Sequence, residues 1–232
     1  MKAVAIIPAA GQGRRMGKDI NKQYLQVLGK PVLSHTLAAV FAADCFTQVI
    51  VVVTPGEEEI FRRDVLLSCF AENALTVVTG GKERQDSVFN ALQSVEEDTD
   101  YISIHDGARP LIRPELFRRS LEAAKNCGAV IAAVPVKDTI KMVDSEKRVA
   151  GTPERQKLWS VQTPQVFRHD WLLDAYQRAC RDGYSATDDA ALLEHYGYPV
   201  HVLEGDYENI KVTTPEDLIL AEALLGRREV CE

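Results

Sequence analysis

Glycines and cations lie together near the start of the chain, in residues 8–18, which read PAAGQGRRMGK. Glycine lets backbone amides approach phosphate oxygens closely, and the three cations could neutralise phosphate charge. A dinucleotide-binding loop would need glycine or alanine where Met16 stands, and a P-loop would need Ser or Thr at Asp19. The segment therefore predicts either a phosphate-binding loop of another kind or a flexible turn with solvated cations.

Other candidate ligands follow apolar runs farther along the chain. Asp106 comes directly after the run 101–104, and its hard carboxylate oxygen could bind a divalent cation. The turn at 80–87 follows the run 75–78 and could approach a ligand through its glycines. Each also has an ordinary explanation, because an Asp after a strand is commonly a cap, and Asp86 or Ser87 could cap a helix.

The elements that must position these residues alternate along the chain. Continuous apolar runs of this length are typical of strands buried on both faces, and they occur at 4–7, 49–53, 75–78, 101–104 and 130–134. Helical spacing occurs between them, at 32–41, 57–67, 86–95 and 114–125. The alternation predicts a three-layer α/β/α fold with a mostly parallel sheet. Ligands of such sheets bind at the carboxyl ends of the strands, where the candidate loops lie.

Residues 136–157 interrupt this order. They are polar, charged and β-branched without a helical stripe, and we interpret them as a protruding β-arm. The chain then returns through helices at 171–180 and 188–195, a strand at 200–203 and a last helix that begins at Thr214-Pro215. We predict a single domain over 1–232.

Composition excludes several classes of function. A net charge of −7 argues against nucleic-acid binding, which needs a clustered positive surface. The five cysteines show neither zinc-ligand spacing nor CxxC pairs, which favours a reducing compartment. The first apolar run is too short for a membrane span and lacks a signal-peptide cleavage site. We therefore expect a cytosolic protein that binds neither nucleic acid nor membranes.

Several segments together resemble the family of 2-C-methyl-D-erythritol 4-phosphate cytidylyltransferases, and they follow the family's motif order over essentially the whole chain. These segments are PAAGQGRRM at 8–16, KQY at 22–24, GGKERQDS at 80–87, HDGARP at 105–110, DTIK at 138–141, QTPQ at 162–165 and NIKVT at 209–213. One departure is Gly107, where members of the family more often carry alanine. The resemblance implies a Rossmann-like nucleotide-diphospho-sugar transferase fold that transfers CMP from CTP to the methylerythritol phosphate.

The resemblance also implies roles for the first loop and the 80–87 turn. Arg15 and Lys22 would stabilise the charge that develops in the transition state. Gly81 and Ser87 would bind the cytosine and the nearby ribose or phosphate groups. The CTP triphosphate would be wrapped by the substrate-binding residues Pro8, Ala9, Ala10, Gly11 and Gly13.

The remaining implied roles concern the metal and the second substrate. Asp106 would bind Mg²⁺ or another divalent cation, and Ala108 would contact substrate in the same segment. The phosphate of the second substrate would be received by Arg109 and Lys211, and its hydroxyl groups by Thr163 and Thr187. Thr139 and Arg155 of one subunit would reach into the partner's active site, which implies a symmetric homodimer.

Two alternatives remain open. Ribitol 5-phosphate cytidylyltransferases share the first loop, the 105–110 type of segment and the arm, so the acceptor could be another sugar-alcohol phosphate. A catalytically silent nucleotide-binding regulator would have lost Lys22, Asp106 or Lys211, and all three are present. We interpret His105 as structural, because a phosphate nucleophile is already ionised near neutral pH and needs no general base.

Overall fold

The computed structural model describes residues 1–11, 21–67, 70 and 75–231, with side chains as far as residue 228. Its strands are β1 (Ala3–Pro8), β2 (Gln26–Val27), β3 (Lys30–Pro31), β4 (Gln48–Val53), β5 (Thr76–Thr79), β6 (Tyr101–Ile104), β7 (Ala129–Pro135), β8 (Met142–Val143), β9 (Val149–Gly151), β10 (Trp159–Arg168) and β11 (His201–Glu204). Its helices are α1 (Val32–Ala43), α2 (Glu58–Phe61, continued by a π turn over Arg62–Leu66), α3 (Arg84–Leu92), α4 (Pro114–Cys127), α5 (His169–Asp182), α6 (Asp189–His195) and α7 (Pro215–Cys231).

The central sheet has seven strands within the described residues, in the order β11-β7-β10-β6-β1-β4-β5. Neighbouring strands are parallel except at β10, which runs antiparallel to both β6 and β7. The strands β1 and β4 are almost completely buried, as their continuous apolar runs predict. The prediction of a mostly parallel α/β sheet is confirmed.

Strand β10 is the strand of the central sheet that the sequence analysis did not predict. Its middle reads QTPQ, and polar residues with a proline are atypical of a strand inside a sheet. The pairing register with β7 shifts between Val161 and Gln165, which accommodates the proline. The polar side chains of this stretch find hydrogen-bond partners across the carboxyl edge of the sheet, so they can be buried.

Helices cover both faces of the sheet. On one face, α3, α5 and α6 pack on β1, β4 and β6, with Val88, Leu172 and Leu192 in the same apolar cluster. On the other face, α1, α2 and α4 pack on the opposite side of the same strands, with Leu37 and Phe117 in their cluster. This arrangement is the predicted three-layer α/β/α fold, and it holds the carboxyl ends of the strands open for a site.

The segment 136–157 contains a small separate hairpin. Its strands β8 and β9 pair antiparallel, as expected of an arm. Apolar side chains on it are exposed, including Met142, Val143 and Val149. No helix in the described part of the chain has the length and apolar character needed to cross a membrane.

Candidate active site

The predicted ligand loops meet at the carboxyl edge of the sheet. Backbone hydrogen bonds continue past the strand ends, from Ala9 N to Val52 O at 2.7 Å and from Gly80 N to Val53 O at 2.8 Å. Gly107 N likewise donates to Pro8 O at 3.1 Å. The loops that follow β1, β5 and β6 are therefore fixed side by side along this edge.

Asp106 lies at the centre of a group of cations. Its Oδ2 atom is 2.9 Å from Lys211 Nζ and 3.5 Å from Arg109 Nε, and its Oδ1 atom is 3.7 Å from Arg84 Nε. The backbone brings Lys211 here, because Val212 N donates to Ala108 O at 2.8 Å. Three cations thus surround one carboxylate that is 7% exposed. Such a cluster favours binding of a polyanion such as a triphosphate.

The electrostatics keep these groups in defined protonation states. Burial raises the pKa of the Asp106 carboxyl, but the charges of Lys211, Arg84 and Arg109 outweigh burial and hold that pKa well below its usual range. Burial lowers the pKa of the Arg109 guanidinium, although Asp106 opposes this effect. Asp106 therefore stays ionised throughout the physiological pH range and cannot serve as a general acid there.

His105 is buried behind Asp106 and is not a candidate for proton transfer. Burial and the nearby charge of Arg109 lower the pKa of its imidazole to about 3. The Thr163 hydroxyl accepts a hydrogen bond from Asp106 N at 3.0 Å and shares a second hydrogen bond with His105 Nδ1, also at 3.0 Å. The edge of the ring packs on Phe117. These contacts support the structural role that the sequence analysis assigned to this histidine.

The 80–87 turn is closed by its own side chains. Gly81 N donates to Ser87 Oγ at 3.1 Å, and Ser87 Oγ donates to Glu83 O at 2.9 Å. Glu83 and Asp86 form a capping box at the start of α3. The turn is therefore a helix cap, but the N-cap residue is Glu83 and not Asp86 or Ser87, and Asp86 completes the capping box. The Ser87 hydroxyl is buried, and the roles of Gly81 and Ser87 in nucleotide binding stay predictions.

We expect Gly81→Ala to weaken CTP binding. A Cβ atom at this position would lie 2.3 Å from Asp86 Cβ, so the turn would have to open. An opened turn would misplace the groups that we expect to bind CTP, so the KM for CTP should rise on the order of tenfold or more. The matched control is Gly226→Ala in α7, where nothing lies within 4 Å of the added atom. Steady-state kinetics with varied CTP would check this, and equal KM values for both variants would contradict it.

The first loop is described only in part. Pro8, Ala9 and Ala10 end or follow β1, and Gly11 is exposed. Lys22 lies in a short 3-10 turn at Lys22–Tyr24, and the next residue, Gln23, donates from Nε2 to Ala9 O. This contact holds the turn against the end of β1. The predicted residues Gly13 and Arg15 lie outside the described residues, so their roles stay predictions.

Comparison with known proteins identifies the family. The family model of 2-C-methyl-D-erythritol 4-phosphate cytidylyltransferase matches residues 3–227. The chain belongs to this family. It is 47% identical over 227 residues to the cytidylyltransferase of that name from Alkaliphilus oremlandii, covering 98% of this chain and 96% of the relative. The enzyme of the same name from Alkaliphilus metalliredigens is 48% identical, with 100% and 97% covered.

Solved structures with the same family name have the same fold. The 4-diphosphocytidyl-2C-methyl-D-erythritol synthase from Anaerococcus prevotii superposes with a TM-score of 0.86 at 34% identity, covering 97% of this chain and 96% of that one. The 2-C-methyl-D-erythritol 4-phosphate cytidylyltransferase from Thermus thermophilus superposes with a TM-score of 0.79 at 35% identity, covering 97% and 98%. The chain therefore has the fold of these cytidylyltransferases.

Three residues predicted from the cytidylyltransferase family have exposed side chains and are not among the ion-pair partners of Asp106 in the described residues. Thr139 and Thr187 are exposed, and Arg155 is exposed at the base of the arm, where it donates from Nη1 to Lys137 O at 2.9 Å. Thr163 is within the cluster, but its hydroxyl is buried and already bonded to Asp106 and His105. The roles of these four residues in acceptor binding stay predictions.

The structure also adds residues that the sequence analysis did not single out. Arg84 contacts Asp106 and pairs with Asp189, which is buried. Asn209 accepts from Arg109 Nη1 through its backbone oxygen at 2.6 Å, and its side chain donates to Thr163 O at 2.8 Å. Arg84 and Asn209 both lie inside the family's motifs, at 80–87 and 209–213. Their position in these motifs could have identified them as candidate site residues. Asp189 offered no comparable signal, because its partner is distant in sequence.

Proposed function

We propose that this protein transfers CMP from CTP to 2-C-methyl-D-erythritol 4-phosphate, releasing pyrophosphate. The observation that carries the proposal is the group of three cations around Asp106 at the carboxyl edge of the sheet, beside the turn that begins at Gly80. The names of the relatives supply the nucleotide and the acceptor. The product would be 4-diphosphocytidyl-2-C-methyl-D-erythritol, a compound of isoprenoid precursor synthesis.

The site chemistry supports nucleotidyl transfer. A phosphate oxygen of the acceptor attacks the α-phosphorus of CTP, a new P–O bond forms, and the bond between the α-phosphorus and its bridging oxygen breaks. Pyrophosphate leaves with that oxygen, and negative charge builds on the α-phosphate oxygens and the leaving group. Fixed cations stabilise this charge without reorganisation. Lys211 is one such cation beside Asp106, and the family resemblance assigns this role to Arg15 and Lys22.

Magnesium is part of the proposal. Among the described residues, no group of three or more His, Cys, Asp or Glu side chains could hold a metal. Magnesium is commonly bound by one or two carboxylates together with substrate phosphates and water. The Oδ1 atom of Asp106 suits such an ion, which would arrive with the triphosphate. When bound, the ion would neutralise phosphate charge and orient the reacting groups.

We also propose a homodimer in which the arm completes the partner's site. The exposed apolar side chains of β8 and β9 support this, because such surface commonly marks an interface. The exposed guanidinium of Arg155 suits bidentate phosphate binding across that interface.

A reducing, cytosolic location is supported by Cys45, Cys127 and Cys180, which are free thiols.

Mixed dimers test this arrangement. We expect Arg155→Ala and Lys22→Ala chains to be nearly inactive alone and to regain activity when co-expressed with two different tags. Random pairing makes half of the dimers hybrid, and each hybrid has one intact site out of two. Recovery should therefore approach about a quarter of wild-type activity in the unfractionated mixture and about a half in the purified hybrid. Pyrophosphate release by the doubly purified hybrid would measure it.

The control for this experiment is a pair of variants that act in the same site. Lys22→Ala and Lys211→Ala chains, combined in the same way, leave every hybrid site with one defect, so no recovery is expected. If the Arg155 pair also fails to recover while hybrids are shown to form, the arm does not act across the interface.

The acceptor is tested by pyrophosphate release with CTP and magnesium, offering 2-C-methyl-D-erythritol 4-phosphate and ribitol 5-phosphate in parallel. Release with the first acceptor alone is the expected result. Release with ribitol 5-phosphate alone would retain the mechanism and replace the acceptor. If neither acceptor gives pyrophosphate release but the protein binds CTP, the result would favour a nucleotide-binding regulator and contradict the proposal.

A further inference from the structure

Arg84 is shared between two carboxylates at the edge of the site. It is the first residue of α3, and its Nη2 atom lies 2.6 Å from Asp189 Oδ2. Its Nε atom lies 3.7 Å from Asp106 Oδ1, which is beyond hydrogen-bond distance. Burial lowers the pKa of this guanidinium, but the two carboxylates outweigh burial and raise the pKa above its ordinary value. Arg84 is therefore a permanent cation that is bound closely to Asp189 and only loosely to Asp106.

The Asp189 carboxylate is itself held in place by a hydrogen bond from Tyr176. The Tyr176 hydroxyl donates to Asp189 Oδ1 at 2.5 Å, so both oxygens of this carboxylate have partners. Asp189 is only 1% exposed, and the Tyr176 ring stacks on Phe89 of α3. A buried carboxylate held on both oxygens has little freedom to move, and the guanidinium that it binds is fixed with it.

The two oxygens of Asp106 consequently differ. Oδ2 has the shorter contacts, at 2.9 Å to Lys211 and 3.5 Å to Arg109, whereas the contact of Oδ1 with Arg84 is 3.7 Å long. If the charge of Asp189 were removed, Asp106 would be the remaining carboxylate for Arg84. The guanidinium would then be drawn onto Oδ1 and would compete with any cation that binds there.

We propose that Asp189, oriented by Tyr176, is a positioning residue that holds Arg84 back from Asp106 and thereby leaves Oδ1 open for the divalent cation that accompanies the triphosphate. The inference rests on the proposed function, because it takes Asp106 as the carboxylate that meets this cation. It goes further in assigning a role to Asp189 and Tyr176, which act on Asp106 through Arg84.

The test is a titration of the full-length protein with Mn²⁺ at saturating CTP, followed by water proton relaxation, which reports metal binding independently of turnover. We expect Asp189→Asn to weaken Mn²⁺ binding on the order of tenfold. Asparagine has nearly the same shape and removes the charge, and its single oxygen can replace one of the two carboxylate acceptors. Tyr176→Phe should shift Mn²⁺ affinity in the same direction by less, and it serves as the second variant if Asp189→Asn does not fold.

Two further variants separate positioning from general damage. The double variant Asp189→Asn/Arg84→Ala removes the competing cation, so Mn²⁺ binding should return to the wild-type range. Asp188→Asn removes the same charge one residue away, where the side chain caps α6 by accepting from Ala191 N at 2.9 Å, and it should leave Mn²⁺ binding unchanged. Thermal unfolding would verify that each variant is folded.

The outcomes are distinct. Unchanged Mn²⁺ affinity in folded Asp189→Asn, an equal loss in Asp188→Asn, or failure of the double variant to recover would each overturn the inference and leave the proposed function intact. Absence of Mn²⁺ binding by the wild-type protein with CTP would overturn the proposed function and the inference together.

Discussion

Replacement of Lys22 by alanine should lower kcat by about a hundredfold or more, because a fixed cation near the developing phosphate charge is lost. Lys22 lies in the 3-10 turn that Gln23 ties to the end of β1. The fold should survive, since the side chain of Lys22 is only half-buried. Arg15→Ala should have a loss of the same order by the family resemblance. Steady-state pyrophosphate release with both substrates saturating would measure kcat.

The control for the first loop is Lys30→Ala. Lys30 is an exposed lysine on β3, eight residues farther along the chain, and its removal changes the net charge by the same amount. We expect its kcat to match the wild type. Near-normal turnover in both Lys22→Ala and Arg15→Ala would overturn the assignment of this loop to the transition state.

Asp106→Asn should have a comparably large effect on kcat/KM, again on the order of a hundredfold. The substitution removes the negative charge among Lys211, Arg109 and Arg84, and with it the carboxylate proposed to meet the divalent cation. The three cations would then attract the substrate phosphates without an opposing carboxylate charge, so CTP alone should bind at least as tightly as before. The decisive measurement is kcat/KM across a magnesium titration, with CTP binding measured separately by calorimetry.

The matched control is Asp98→Asn, an exposed carboxylate that pairs with Lys2 far from the Asp106 cluster. Its magnesium dependence should equal that of the wild type. An Asp106→Asn variant with wild-type kcat/KM and unchanged magnesium dependence would contradict the role of this carboxylate.

The sequence predicts the parallel part of the fold well, for a physical reason. Strands β1, β4 and β7 are buried on both faces, so they need continuous apolar runs, and such runs are visible without tertiary information. Strand β10 is different, because its polar middle is buried only with the help of distant partners. Gln162 donates to Asp206 O and Gln165 donates to Asp188, contacts that only the folded chain reveals.

The same distinction applies to the site. Asp106, Arg109 and Lys211 lie in motifs that the family resemblance supplied, and the structure brings them together. Arg84 and Asp189 are 105 residues apart in sequence, and neither has a pattern that predicts a partner. The proposed action of Arg155 in a partner's site could be suggested from the sequence only through the family resemblance.

The most direct test of the proposed activity follows the α-phosphate of CTP. The purified protein would be incubated with magnesium, 2-C-methyl-D-erythritol 4-phosphate and CTP labelled with ³²P at the α position, and the products separated by chromatography. We predict that the label moves into a diphosphate joined to the acceptor, with one pyrophosphate released for each label transferred. Label that remains in CTP, or appears only as free CMP, would contradict cytidylyl transfer.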